Sequence, residues 1–305
     1  MRFTQTLNGL PQFADADQPD PQASNGSDLT PAPQTTPPVI GASLSIAELP
    51  LHLNWLVANQ RDLELWDPAR PDFLVNGWRN AAAKTRLLLA GYPGRISIHG
   101  PYQSLTLFAH DPLIAAVVAD RLRCALYFAA EIGATQIVIH SPFTTFGSPY
   151  ITYGNPEQKQ QELNLAMTVL GQLLPFAQEI GCAFVIENIY DTNPELLLEL
   201  VAGFHSPGVR MSLDVGHAFI TQQMGGPPPD HWIRAAAPFL AHVHLHDTDG
   251  QADRHWPVGH GNIKWRGIFA ELGRMNNLPR LILEMKQTGD IERSTEWLKQ
   301  KGYTH

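Results

Sequence analysis

Six short apolar runs in this chain end on a side chain that can bind a metal or move a proton. Ile96-Ser97-Ile98 ends in His99, Ile137-Val138-Ile139 in His140, and Phe184-Val185-Ile186 in Glu187. Met211-Ser212-Leu213 ends in Asp214, with His217 one turn further; His242-Val243 leads to His244, and Leu281-Ile282-Leu283 to Glu284. One histidine or carboxylate at such a place is ordinarily a hydrogen-bonded or solvated loop residue. The set reads differently, because Glu187, Asp214 and Glu284 gathered at one point would repel one another strongly. A divalent cation removes that cost and takes neutral imidazoles as further ligands. Asp253-Arg254-His255 adds an Asp-x-His pair that can close on an ion from a loop. Such a set can polarise a carbonyl or generate a hydroxide.

These residues need elements that bring them to one face. After Pro38, short apolar runs alternate with longer stretches of helical spacing, and the runs cover 39–44, 62–66, 95–99, 136–140, 183–187, 209–214, 242–246 and 281–284. Ile114 to Tyr127 continues helically to a stop at Gly133, and 163–180 reads as one helix closed by Gly181. Eight strand–helix units in this length predict a (β/α)8 TIM barrel, whose strand ends converge on one face. A doubly wound open sheet would need a Gly-rich phosphate turn after the first strand, and none is present. By period two, His242, His244 and His246 share a face. One ion cannot take all three, so His244 is the expected ligand, His246 a pocket or supporting residue, and His242 lies deeper.

The whole chain sets wider bounds. Its 305 residues, 44% of them apolar, suffice for one large domain over 39–305. Residues 1–38, rich in Pro, Gln, Asp, Ser and Thr, read as a disordered tail. A net charge of −8 offers no basic footprint for nucleic acid. The only cysteines, Cys124 and Cys182, lie apart in apolar runs and read as reduced thiols, which predicts a cytoplasmic protein. No run of about 20 apolar residues predicts a membrane span, and no apolar leader segment opens the chain. Mixed imidazole and carboxylate donors suit Zn²⁺ first and Mn²⁺ second.

The motifs together resemble the xylose-isomerase-like TIM barrels. That superfamily takes in sugar phosphate isomerases and epimerases as well as the endonuclease IV type of abasic-site nuclease (AP endonuclease family 2). The resemblance spans about residues 39–290. It rests on Ser97-Ile98-His99-Gly100-Pro101-Tyr102, Val138-Ile139-His140, Val185-Ile186-Glu187-Asn188, Leu213-Asp214-Val215-Gly216-His217-Ala218, Val243-His244-Leu245-His246-Asp247, Asp253-Arg254-His255 and Ile282-Leu283-Glu284. It implies that His99, His140 and Glu187 hold a first ion, that Glu187, Asp214, His244 and Glu284 hold a second, and that His217, Asp253 and His255 hold a third. The simpler epimerases resemble only the second quartet. A second strand ending Glu64-Leu65-Trp66-Asp67 looks like the sugar branch, and Gly259-His260-Gly261 stands where the nuclease usually has Gly-Glu-Gly.

The resemblance implies a metal-dependent sugar or sugar-phosphate isomerase or epimerase working through a metal-stabilised enediolate. Glu187 and Glu284 would serve as acid and base, and His217 would orient a substrate oxygen. Glu64, Trp66, Tyr102, His246 and His260 are the expected substrate contacts, and Lys264 and Lys286 could meet a phosphate. The partner would be a small carbohydrate. The alternative is an endonuclease IV-like phosphodiester hydrolase acting on abasic DNA with up to three ions, so the expected load is one to three divalent ions per chain.

Overall fold

The computed structural model describes residues 38–143 and 156–305. Eight parallel strands close into a barrel in sequence order: β1 (Ile40–Leu44), β2 (Leu63–Leu65), β3 (Ile96–His99), β4 (Gln136–His140), β5 (Ala183–Glu187), β6 (Val209–Asp214), β7 (Leu240–Leu245) and β8 (Arg280–Leu283). Around them among the described residues run α1 (Leu49–Ala58), α2 (Pro71–Asn76), α3 (Trp78–Leu88), α4 (Pro112–Ile132), α5 (Pro156–Gly171), α6 (Leu174–Glu179), α7 (Glu195–Gly203), α8 (Val215–Gln222), α9 (Pro229–Ala236), α10 (Trp265–Leu272) and α11 (Asp290–Gln300). The chain is therefore a TIM barrel, as its alternation predicts. Both faces of each strand are covered, so the strands are near-continuous apolar runs.

Local chemistry sets the element ends. The Asp111 carboxylate caps α4 by accepting from the Leu113 amide at 2.7 Å, and Gly133 ends the helix in the left-handed region at φ 73°. The single helix expected over 163–180 is two. Pro175 lacks an N–H, and its ring would meet the carbonyl of Gly171, so α5 stops there and α6 starts at Leu174. β2 is shorter than 62–66, although the backbone at both ends of that run still bonds to β1, the Asp62 carbonyl accepting from the Ala42 amide at 3.1 Å and the Trp66 amide donating to the Leu44 carbonyl at 3.2 Å. β7 begins two residues before His242 and ends one before His246, and its pairing with β6 shifts register between Met211 and Ser212. The tail expected over 1–38 lies outside the described residues except Pro38, whose carbonyl accepts from the Thr304 hydroxyl at 2.6 Å.

The barrel interior is not filled by aliphatic side chains alone. In register, Ser43 pairs with Glu64, Ser212 with His242, and His242 with Arg280. Gln136 spans the lumen from β4 to donate to the Ala241 carbonyl at 3.2 Å. Arg280 donates to the Ile96 carbonyl at 2.7 Å. This polar filling supports the residues that open at the strand ends.

Candidate metal centre

Glu187, Asp214 and His244 at the ends of β5, β6 and β7, with Glu284 just past β8, meet at the barrel mouth. His244 Nδ1 lies 2.8 Å from Glu187 Oε1, 3.4 Å from Glu284 Oε2 and 3.9 Å from Asp214 Oδ2. One donor atom from each of the four falls within 4.8 Å of the others. Local bonds fix the set. Asn188 clamps the end of β6, accepting from the Asp214 amide at 2.8 Å and donating to the Asp214 carbonyl at 3.1 Å. Asp214 Oδ1 caps α8 by accepting from the His217 amide at 2.7 Å, so one side chain ends a strand, starts a helix and faces the centre.

Two further clusters adjoin it. His99 Nε2 and His140 Nε2 each lie 3.6 Å from Glu187 Oε2. His217, Asp253 and His255 converge with His246: Asp253 Oδ2 is 3.4 Å from His217 Nε2 and 3.0 Å from His255 Nε2, and Asp253 Oδ1 is 3.7 Å from His246 Nε2. The loop carrying Asp253 and His255 is tied down by Asp247. That buried carboxylate accepts from the Gly259 amide and the Trp265 indole, both at 2.9 Å, while its backbone pairs with Trp256. His255 itself sits at φ 49°, a region that costs a non-glycine residue energy and is held by its surroundings.

The donors fit a divalent cation. Glu187 Oε2 is buried without a hydrogen-bond partner, and a gap of 3.6 Å to each of two ring nitrogens is too long for a hydrogen bond. It is close to the separation of about 3.4 Å between ligand atoms placed tetrahedrally about 2.1 Å from one zinc ion. Three rings are also turned for ligation. His99 Nδ1 faces the Gly100 carbonyl at 2.9 Å, His217 Nδ1 the Asn188 carbonyl at 3.0 Å, and His255 Nδ1 the Glu284 carbonyl at 2.9 Å. A carbonyl only accepts, so each Nδ1 carries a hydrogen and each Nε2 is left facing a carboxylate, the atom that can ligate once an ion takes the place of any proton there.

Without metal, protons balance the acids. Burial pulls His244 down, but Glu284, Glu64 and Glu187 outweigh it and raise it well above the ordinary range. Burial likewise opposes His255, and Glu284 and Asp253 carry it up to about 10. His140 behaves oppositely: burial takes it down to about 3, beyond what Glu187 restores, so it stays a neutral imidazole. Glu187 is held well below the carboxylate range by His244, His99 and His140 despite burial.

The remaining sequence-predicted residues divide by depth. Glu64 does not contact the cavity. It is fully buried beneath the centre, with Oε1 3.1 Å from His244 Nε2 and 3.2 Å from the Ser43 hydroxyl, and Oε2 3.1 Å from His242 Nε2. His242 Nδ1 in turn meets Gln136 Oε1 at 3.1 Å. His246 is fully buried in the third cluster. Trp66 and Tyr102 line a cavity of about 1170 Å³ above the centre, and the Tyr102 ring stacks on His140 at 4.1 Å. His260 is exposed on the loop beyond, 3.3 Å from Arg293, and lies outside the site. Lys264 is exposed away from the cavity, whereas Lys286 lines it. Tyr190 and Met224 also line the cavity and carry no sequence signal that would single them out.

Residues 61–301 match the family described as the xylose isomerase-like TIM barrel. An uncharacterised protein of Methanocaldococcus jannaschii is 25% identical over 219 residues, 70% of this chain and 80% of its own. Among solved structures, a D-tagatose 3-epimerase-like protein superposes with a TM-score of 0.69 at 22% identity, covering 86% of this chain and 96% of its own. A Thermus thermophilus protein, TTHB071, in a crystal soaked with zinc chloride, superposes with a TM-score of 0.65 at 26% identity over 86% of this chain and 96% of its own.

Proposed function

Because the chain belongs to the xylose isomerase-like TIM barrel family, we propose that it is a metal-dependent sugar isomerase or epimerase exchanging a proton beside a substrate carbonyl. The observation that carries this reading is that Glu187 and Glu284 both line one cavity and both approach His244 Nδ1, at 2.8 and 3.4 Å. A divalent ion held by Glu187, Asp214, His244 and Glu284 would supply Lewis-acid polarisation of the carbonyl. Glu187 and Glu284 take and return the proton. His217, its Nδ1–H fixed on the Asn188 carbonyl, stands at the cavity wall with Nε2 turned toward Asp253. Trp66, Tyr102 and Tyr190 offer apolar ring faces to the carbon skeleton and screen the centre from water.

Incubating the zinc- and manganese-loaded protein with aldoses, ketoses and their phosphate esters tests the reading. Interconversion of at least one pair, abolished by Glu284→Gln, is expected. Absence of interconversion across the panel, together with nicking of an abasic duplex, would overturn it.

Hydrolysis of a phosphoester is the second reading, favoured by one specific observation: two more donor clusters flank the quartet, one of them through the shared Glu187. Charge opposes it. Among the described residues lining the cavity, Lys286 is the only Lys or Arg, and the sequence over 144–155 contains neither.

A further inference from the structure

β7 and the residue that follows it send His242, His244 and His246 inward at successive levels. His242 is taken up by Glu64 and Gln136, and His244 faces the quartet. His246 remains. Its Nε2 lies 3.1 Å from both oxygens of Asp214 and 3.7 Å from Asp253 Oδ1, and its ring stacks on His255 with centroids 4.1 Å apart. Gly216 makes room for it, since a Cβ at that position would fall 2.0 Å from His246 Cε1. The neighbouring His217 and His255 already commit Nδ1–H to backbone carbonyls and aim Nε2 at Asp253.

We propose that His246 joins His217, Asp253 and His255 as the fourth protein donor of a closed, zinc-selective site beside the reaction centre. Three imidazoles and one carboxylate form a borderline-soft set that favours zinc, whereas three carboxylates and one imidazole in the quartet form a harder set suited to manganese or magnesium. Four protein donors also match the closed coordination of structural zinc, whereas the His99–His140–Glu187 cluster offers three and leaves a position open. An ion at the closed site pins the 247–255 loop to β7. With its coordination filled by protein, that site has no position for a hydrolytic water. The assignment stands apart from the sugar reading and is tested without turnover.

The metal-free protein is reconstituted with zinc and manganese together and dialysed against a chelator that strips manganese. Retained zinc is then counted by elemental analysis, while manganese binding is followed separately by electron paramagnetic resonance. Wild type is expected to keep one zinc that Glu284→Gln also keeps, although that variant weakens manganese binding. His246→Ala and the size-preserving His246→Gln are each expected to lose the retained zinc and keep manganese binding, and His255→Ala to lose the same zinc with no further loss in the double variant. Zinc retained in folded His246→Gln, or loss of manganese binding in that variant, would overturn the proposal; the second outcome would make His246 a support for Asp214 instead.

Discussion

Glu64 shows how far the centre reaches below its ligands. Its carboxylate holds His244 Nε2–H at 3.1 Å, which leaves Nδ1 as the atom facing Glu187, Asp214 and Glu284. A carboxylate behind a ligating histidine typically contributes about 10–100-fold to metal affinity. Glu64→Leu is therefore expected to weaken manganese binding by roughly that factor. Glu64→Gln keeps an oxygen toward His244 and should retain most of the affinity. Equal affinity in Glu64→Leu and wild type, read by titration, would exclude this role. The protons on His244 and His255 give a second expectation at this scale. Both groups are raised, His255 to about 10, so below that pH an incoming ion must displace bound protons. Metal loading at neutral pH should release protons, and apparent affinity should climb as pH rises toward about 10. Calorimetric heats that do not depend on the ionisation enthalpy of the buffer would contradict this.

At the scale of elements, the strand ends were legible and the depths were not. The period of each apolar run and the residue that ends it are local features, so His99, His140, Glu187, Asp214, His244 and Glu284 could be read as one converging set. How far each side chain lies along the barrel axis depends on register between strands, including the shift at Met211 and Ser212. That is why Glu64 read as a cavity residue and proves to lie beneath it, and why His246, which read as either a pocket or a supporting residue, could not be placed until the structure set it against Asp214 in the third cluster. His260 failed for another reason: a loop residue carries no periodicity from which to infer its direction. The helix break at Pro175 was visible in the sequence and was outweighed by the apolar spacing around it. Gly216 offers a test at this scale. In an ordinary helix, glycine to alanine gains about 1 kcal/mol. Here the new Cβ would meet His246 Cε1 at 2.0 Å, so Gly216→Ala should instead destabilise the metal-free protein by about 1–3 kcal/mol. A stability gain in denaturant unfolding would show that His246 does not occupy this place.

Over the whole molecule, the barrel places its acids where charge is most costly and offsets them with histidines and, in the proposed holoenzyme, with cations. The acidic balance of −8 and the scarcity of cations at the mouth suit a small neutral or singly charged substrate better than a polyanion. No helix among the described residues is long and apolar enough to cross a membrane. The central claim is that Glu187 and Glu284 exchange a substrate proton beside a carbonyl when the quartet holds its ion. Solvent exchange tests it most directly: a ketose is incubated in deuterium oxide with the manganese-loaded protein, and deuterium is followed at the carbon next to the carbonyl by NMR. The account predicts incorporation by the loaded wild type, none by the metal-free protein, and a loss of at least about 100-fold in Glu284→Gln, the usual scale for removing an acid–base group. Deuterium incorporation that persists in the metal-free protein or in Glu284→Gln would contradict it.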